Sequence, residues 1–127
     1  MAPRLDGVDH IHINVSDREE SERWYTEVLG LSRVRDLEFW AVDGGPLTLS
    51  DSSGQIHLAL FESDQAQGTT IAFRVSAADL EQWIDHLAVN GIRVTPVDHQ
   101  VSWSVYFTDD DGNRFEITTY EYEAFRS

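Results

Sequence analysis

From Val8 to Val15 the chain reads V-D-H-I-H-I-N-V. Ile11, Ile13 and Val15 alternate with His10, His12 and Asn14, the period-two pattern of a half-buried strand whose two faces differ in chemistry. Ser16-Asp17-Arg18-Glu19-Glu20 then offers overlapping capping boxes. Trp24, Tyr25, Val28 and Leu29 follow at helical spacing and Gly30 is a natural stop, which predicts a helix from about Arg18 to Leu29. Three short strands are expected next, over Arg33 to Val42, Leu47 to Asp51 and Gln55 to Glu62. Asp43-Gly44-Gly45-Pro46 and Ser52-Ser53-Gly54 supply the turns between them.

The pattern then starts again. Thr70 to Val75 alternates like the first strand, and Ser76-Ala77-Ala78-Asp79 opens a second helix. Leu80, Trp83, Ile84, Leu87 and Ala88 form its apolar stripe and Asn90-Gly91 ends it. Further strands are expected near Ile92 to Val97, Trp103 to Thr108 and Asn113 to Tyr120, with a tight turn over Asp109 to Gly112. Val15-Ser16 matches Val75-Ser76. Gly30-Leu31-Ser32-Arg33-Val34 matches Gly91-Ile92-Arg93-Val94 with one residue deleted, and Ile56-His57-Leu58 matches Phe115-Glu116-Ile117. A repeat of roughly 60 residues implies duplicated units that share a core. The expected architecture is α+β, two βαβββ modules of about residues 6–62 and 69–123 in one domain spanning 1–127, joined by a polar linker from Ser63 to Gly68.

Composition narrows the function. There is no Cys, so disulfide and thiolate chemistry are absent and any metal must be held by His, Asp or Glu. The net charge is -14, and every basic residue is Arg. That balance argues against nucleic acid, whose phosphates require a basic surface, and it permits a cationic ligand. No apolar run approaches the roughly 20 residues of a membrane span. Charges enter the N-terminal segment before any apolar stretch, so no signal peptide is expected and a cytoplasmic location is.

Face parity and the repeat together sort the polar residues. His10 in the first strand corresponds to Thr70, and His57 in the fourth to Glu116 in the eighth. Each lies on the face opposite its apolar neighbours: Ile11 and Ile13, Ile56 and Leu58, Phe115 and Ile117. If the two sheets curl toward each other, His10, His57 and Glu116 meet as two imidazoles and one carboxylate, a set that suits a divalent transition metal with open positions. Each residue alone is more often a polar side chain on a solvated strand face than a ligand. His12 shares the face of His10, but about 7 Å of strand rise separates them, so one ion is not expected to bind both. His12, Asn14, Arg74, Thr118 and Tyr120 read as cavity lining able to contact substrate. Phe39 and Trp40 are candidates for an apolar wall.

V-D-H-I-H-I-N-V-S-D, W-Y-x-x-V-L-G-L and Y-F-T-D-D-D-G-N-R-F-E-I resemble the vicinal-oxygen-chelate superfamily of glyoxalases, bleomycin-resistance proteins and extradiol dioxygenases. The resemblance spans nearly the whole chain. It implies a curled mixed sheet around a metal cavity, with His10 and Glu116 as metal ligands and His57 as a third at the position used in glyoxalase I-like members. Thr70 departs from the pattern, since the second module's first strand usually supplies a ligand. A hydroxyl there leaves a site for water or substrate, or hydrogen-bonds the ligand. Val97-Asp98-His99, Val105-Tyr106, Asp109, Gly112 and Glu116 are similar to the ring-cleavage dioxygenase signature, which has Pro where this chain has Asp110. That similarity implies an acid–base role for His99 and a substrate hydrogen bond for Tyr106.

The expected function is therefore a metal-dependent enzyme acting on a small substrate that chelates the metal through neighbouring oxygens, in dioxygenase-like or glyoxalase-like chemistry. Fe(II) is favoured, with Mn, Zn and Ni as other ions. A homodimer is expected from the family. The alternative is a metal-free, bleomycin-resistance-type protein that sequesters a cationic drug, which the acidic charge and four Trp suit. No nucleic-acid or membrane partner is expected.

Overall fold

The computed structural model describes residues 2–65 and 68–126. The chain divides into two compact units, Met1–Gln65 and Ala66–Ser127. The polar connection expected over Ser63 to Gly68 includes Ala66 and Gln67, which lie outside the described residues.

The first unit contains strand β1 (Ile11–Val15), helix α1 (Arg18–Trp24), and strands β2 (Ser32–Arg33), β3 (Leu47–Ser50) and β4 (His57–Glu62). They form an open four-stranded sheet of order β1-β4-β3-β2. The β1–β4 pair is parallel, and the β4–β3 and β3–β2 pairs are antiparallel. Asp17 caps α1 by accepting from the backbone N–H of Glu19 and Glu20. A π-helical turn over Tyr25–Leu29 continues α1, buries Tyr25, Val28 and Leu29, and stops at Gly30 with φ of 74°. That left-handed conformation is one glycine adopts without steric cost. Ile13, Val15, Leu47, Leu49, Leu58 and Leu60 share one sheet face by register and are all buried.

The second unit repeats the topology with β5 (Thr70–Arg74), α2 (Ala77–Val89), β6 (Val97–Asp98), β7 (Trp103–Thr108) and β8 (Arg114–Thr119), in the order β5-β8-β7-β6. Ser76 caps α2 by accepting from the N–H of Asp79. Phe115 stacks between Phe73 and Phe107, with centroids 6.1 and 5.7 Å away. Leu80 and Leu87 of α2 are fully buried.

Three elements differ from the pattern reading. The strand expected over Arg33 to Val42 ends at Arg33, and Arg35–Trp40 is a 3-10 helix. Charge clamping explains the change: the Arg33 guanidinium grips both Glu22 oxygens at 2.7 and 2.9 Å and reaches Glu38 at 3.2 Å, which folds the chain back on itself. The strand expected over Ile92 to Val97 shrinks to Val97–Asp98, because Pro96 offers no N–H to a ladder. A third helix, α3 (Tyr122–Arg126), lies beyond the last strand. Trp103 holds it, stacking on Tyr122 at 5.7 Å and meeting Phe125 at 5.5 Å.

Register also corrects the internal repeat by two residues. Ala59 pairs with His12 and Thr48, as Glu116 pairs with Ala72 and Tyr106. With Val15 equivalent to Val75, the counterpart of Glu116 is therefore Ala59, and the counterpart of His57 is Arg114. The β3–β4 turn is one residue longer than the β7–β8 turn. Six residues separate Ser50 from its partner His57, whereas five separate Thr108 from Arg114. A shift of two preserves face parity, which is why alternation alone did not reveal it.

Both turns are built on an aspartate. Asp109 accepts from the N–H of Asp111 and Asn113 at 2.9 and 2.8 Å, and from the Asn113 amide at 2.8 Å. Asp51 accepts from the N–H of Gln55 and Ile56, both at 2.9 Å, and from the Ser53 hydroxyl. The Ser53 hydrogen bond is the main cause that holds the Asp51 carboxyl below its ordinary value. Partial burial opposes it, and the backbone donors add to it. A carboxylate with a lowered folded-state pKa stabilises the fold above its unfolded pKa, and that contribution is lost as pH falls through the folded value. Asp51→Asn should therefore lower the urea midpoint at neutral pH, and the gap to wild type should close on acidification below the ordinary carboxylate range. A gap that stays constant with pH would contradict this account.

Candidate metal centre

Within the first unit, Asp9, His10, Leu37, Trp40, Pro46, Thr48, His57 and Ala59 line a cavity of about 170 Å³. Parity brings most of the sheet residues there. His12, Ala59 and Thr48 are register partners on the face opposite the apolar core, and His57 lies two residues before Ala59 on the same face. His10 immediately precedes β1. Leu37 and Trp40 are three apart on the 3-10 helix, the spacing that puts two side chains on one side of such a turn. Arg18 ties this wall down by donating to the Gly45 and Ala41 carbonyls. Phe39 is exposed and meets Trp40 edge-on at 5.5 Å, so of the two aromatic candidates it is Trp40 that lines the cavity.

His10 is oriented on one side by a carboxylate. Its Nδ1 lies 2.8 Å from the Asp9 Oδ2, and its Nε2 lies 3.0 Å from the His12 Nε2. A carboxylate that accepts from Nδ1–H selects the tautomer whose Nε2 is a bare lone pair, the arrangement that orients histidine toward a metal. The 3.0 Å approach overturns the expectation that strand rise keeps His10 and His12 apart. The imidazoles lean together, with centroids 5.0 Å apart and planes 24° from parallel. The sequence reading missed Asp9, although the Asp9-His10 dipeptide is a readable signal for such a pair. Asn14, farther along β1, donates to the Gln65 carbonyl at 3.2 Å.

In the second unit, Thr70, Arg74, Glu116, Tyr106 and Thr118 share the polar face of the sheet by register. Tyr120 follows β8 and is exposed, as are Thr70 and Arg74. Tyr106 is the cross-strand partner of Glu116, and its hydroxyl lies 2.9 Å from the His99 Nε2. Ser104, which pattern reading passed over, donates to Glu116 Oε2 at 2.8 Å and also lies 2.9 Å from the Thr118 hydroxyl. Alternation along β7 places Ser104 beside Tyr106, which was a usable signal. Desolvation of its hydroxyl, and then the Glu116 charge, push the Tyr106 phenol above its ordinary value, with Ser104 acting in the opposite sense. Tyr106 is therefore a neutral hydroxyl near pH 7, able to donate or accept one proton in a hydrogen bond.

Within each unit, among the described residues, no three His, Asp or Glu side chains form a metal-holding cluster. In the first unit His10 and His57 line the cavity and His12 meets His10 at 3.0 Å, and the second gathers His99, Tyr106, Glu116 and Ser104. Imidazole nitrogens and one ionisable carboxylate are donors that divalent first-row ions accept. The donor chemistry fits such an ion.

Two βαβββ units with a histidine at the start of β1 and a glutamate on the last strand define a class, and the chain belongs to it. Residues 7–117 match the Glyoxalase/Bleomycin resistance protein/Dioxygenase superfamily. A relative, metallothiol transferase FosB of Staphylococcus epidermidis, is 30% identical over 121 residues, covering 91% of this chain and 82% of that protein. FosB of Staphylococcus haemolyticus is likewise 30% identical, over 125 residues, covering 91% and 84%. Among solved structures, a glyoxalase/dioxygenase from Nostoc punctiforme superposes with a TM-score of 0.73 at 25% identity, covering 94% of both chains. The fosfomycin resistance protein FosX of Listeria monocytogenes, complexed with Mn(II) and sulfate, superposes with a TM-score of 0.71 at 17% identity, covering 96% of both.

Ser104 is fully buried, and its hydroxyl serves both Glu116 and Thr118. Ser104→Ala should cost about 1–3 kcal/mol in urea-denaturation experiments, because a half-buried carboxylate oxygen and the buried Thr118 hydroxyl lose their partner. A cost near zero would mean that water replaces the hydroxyl.

Proposed function

We propose that this protein is a divalent-metal-dependent enzyme that binds a small substrate through two neighbouring oxygen atoms. One observation carries the reading: the His10 Nδ1 lies 2.8 Å from an Asp9 carboxylate oxygen while its Nε2 faces a second imidazole at 3.0 Å, beside an aromatic-walled cavity. A drug-sequestering pocket has no need of a carboxylate-oriented imidazole. His10 and Glu116 are the ligands this reading names first, with His57 as a further donor at the cavity wall. Mn(II), present in the FosX neighbour, and Fe(II), which two imidazoles and a carboxylate suit, are the ions to try first. When bound, such an ion acts as a Lewis acid toward the substrate oxygens.

The residues of the chain divide the remaining work. Trp40, Leu37 and Pro46 provide an apolar wall. Thr70, Arg74, Asn14 and Tyr120 are proposed to contact substrate, Arg74 through charge and the others by hydrogen bonding. Tyr106, kept protonated, hydrogen-bonds a substrate oxygen, and His99, 2.9 Å from the Tyr106 hydroxyl, serves as the acid–base group beside it.

The favoured chemistry is nucleophilic opening of a small oxygenated substrate, because the FosB relatives at 30% identity are metallothiol transferases. Fosfomycin is the first probe, with thiol or water as the nucleophile. A second reading, extradiol ring cleavage, is supported by the 2.9 Å contact between His99 and Tyr106. A cytoplasmic homodimer completes the proposal, and light scattering tests the dimer.

Protein purified without added chelator should carry a divalent ion, and elemental analysis measures it. His10→Ala and Glu116→Gln should each lower occupancy severalfold while leaving the circular dichroism spectrum intact. Phosphorus NMR should follow fosfomycin loss with a thiol or with water alone, and an oxygen electrode should follow catechol cleavage. Oxygen uptake without fosfomycin turnover would replace the first chemistry with the second. A wild type that retains no divalent ion even when supplied would remove the enzyme reading and favour a metal-free binding protein for a cationic drug.

A further inference from the structure

We propose that His12 is a direct ligand of the divalent ion, so that the start of β1 supplies two imidazoles, His10 and His12, as one chelating pair. This rests on the reading that His10 holds a divalent ion. It adds a donor that the family resemblance does not name and that strand rise alone argued against.

The geometry points to it in three ways. First, the Nε2 atoms lie 3.0 Å apart although the ring centroids are 5.0 Å apart, so the rings converge at their Nε2 edges. Two nitrogens that each sit about 2.1 Å from one ion at a right angle are themselves about 3.0 Å apart, so the pair already has the spacing of adjacent ligands. Second, a carboxylate oxygen of Asp9 sits 2.8 Å from the His10 Nδ1, the orienting contact that a metal-binding imidazole makes through its other ring nitrogen. Third, His12 is held in position. Its ring packs against Phe61 at 4.7 Å, and Phe61 is the register partner of Asn14 on the same sheet face. The equivalent position in the second unit is Ala72, which has no donor. The second imidazole is therefore particular to β1.

The test uses the full chain freed of metal, with Zn(II) alone and Cu(II) alone as probes. Calorimetric titration of Zn(II) should give binding at least tenfold weaker in His12→Asn and in His12→Gln than in wild type. Electron paramagnetic resonance of the Cu(II) form should lose one nitrogen from its superhyperfine pattern in both variants. In the wild type, long-range proton–nitrogen correlation spectra should show the His12 Nε2 resonance move on Zn(II) addition and its proton settle on Nδ1. This last measurement needs no variant and stands even if one fails to fold. Zn(II) binding within twofold of wild type in both variants, with an unchanged nitrogen count, would overturn the role of His12 while leaving the metal site at His10 intact. A wild type that binds neither Zn(II) nor Cu(II) would overturn both.

Discussion

The candidate site depends first on the parallel pairing of β1 with β4. Side chains alternate across a strand, so one register decides every residue that faces the cavity. With Ile11 opposite Leu58, the apolar set Ile13, Val15, Leu58 and Leu60 turns to the core, and His12, Ala59 and Phe61 turn the other way. A slip of one residue would bury imidazoles among leucines and expose the core. Burial of apolar side chains is worth about 1.5–3 kcal/mol each, so the six buried residues of that face hold the register firmly. The polar face follows the core face without needing a separate cause.

The pairing of β5 with β8 does the same for the second unit. Thr70, Arg74, Glu116, Tyr106 and Thr118 share a face because Ile71, Phe73, Phe115, Ile117, Val105 and Phe107 occupy the other. The polar face is not left to solvent alone. Ser104 ties Glu116 to Thr118, and desolvation, with the Glu116 charge after it, pushes the adjacent phenol above its ordinary value. Aspartate turns at Asp51 and Asp109 set where β4 and β8 begin, and the extra residue in the first turn makes the spacing from β4 to β8 one residue shorter than that from β3 to β7. The aspartate of the dioxygenase-like signature, Asp109, therefore has a structural task in this chain, whatever chemistry lies nearby.

Electrostatics complements this frame. A net charge of -14 surrounds the molecule with a potential that attracts cations. Asp9 concentrates the effect at His10 and also selects its tautomer, which a diffuse surface charge cannot do. Arg18 and Arg33 act differently. Each is spent on local architecture, one on the carbonyls of the segment 41–45 and the other between Glu22 and Glu38. Together they fold the stretch after β2 into the wall that carries Leu37 and Trp40.

Much of this was legible in the chain itself. Period-two alternation revealed β1, β5, β7 and β8, and the caps at Asp17 and Ser76 with the stops at Gly30 and Gly91 bounded the helices, because those signals are local in sequence. His10, His57 and Glu116 could be assigned to polar faces on the same ground, and Tyr106 entered through the dioxygenase-like signature. Three things were decided only by tertiary structure. Charge clamping by Arg33 turned an expected strand into a 3-10 helix, since a contact between residues eleven apart has no periodic signature. The true counterpart of Glu116 depended on hydrogen-bond register, because parity is blind to a shift of two residues. The closeness of His10 and His12 depended on side-chain rotation. A strand's rise separates Cα atoms by a set amount, but two imidazoles on one face can close that gap at their tips, and only packing against Asp9 and Phe61 determined that they do.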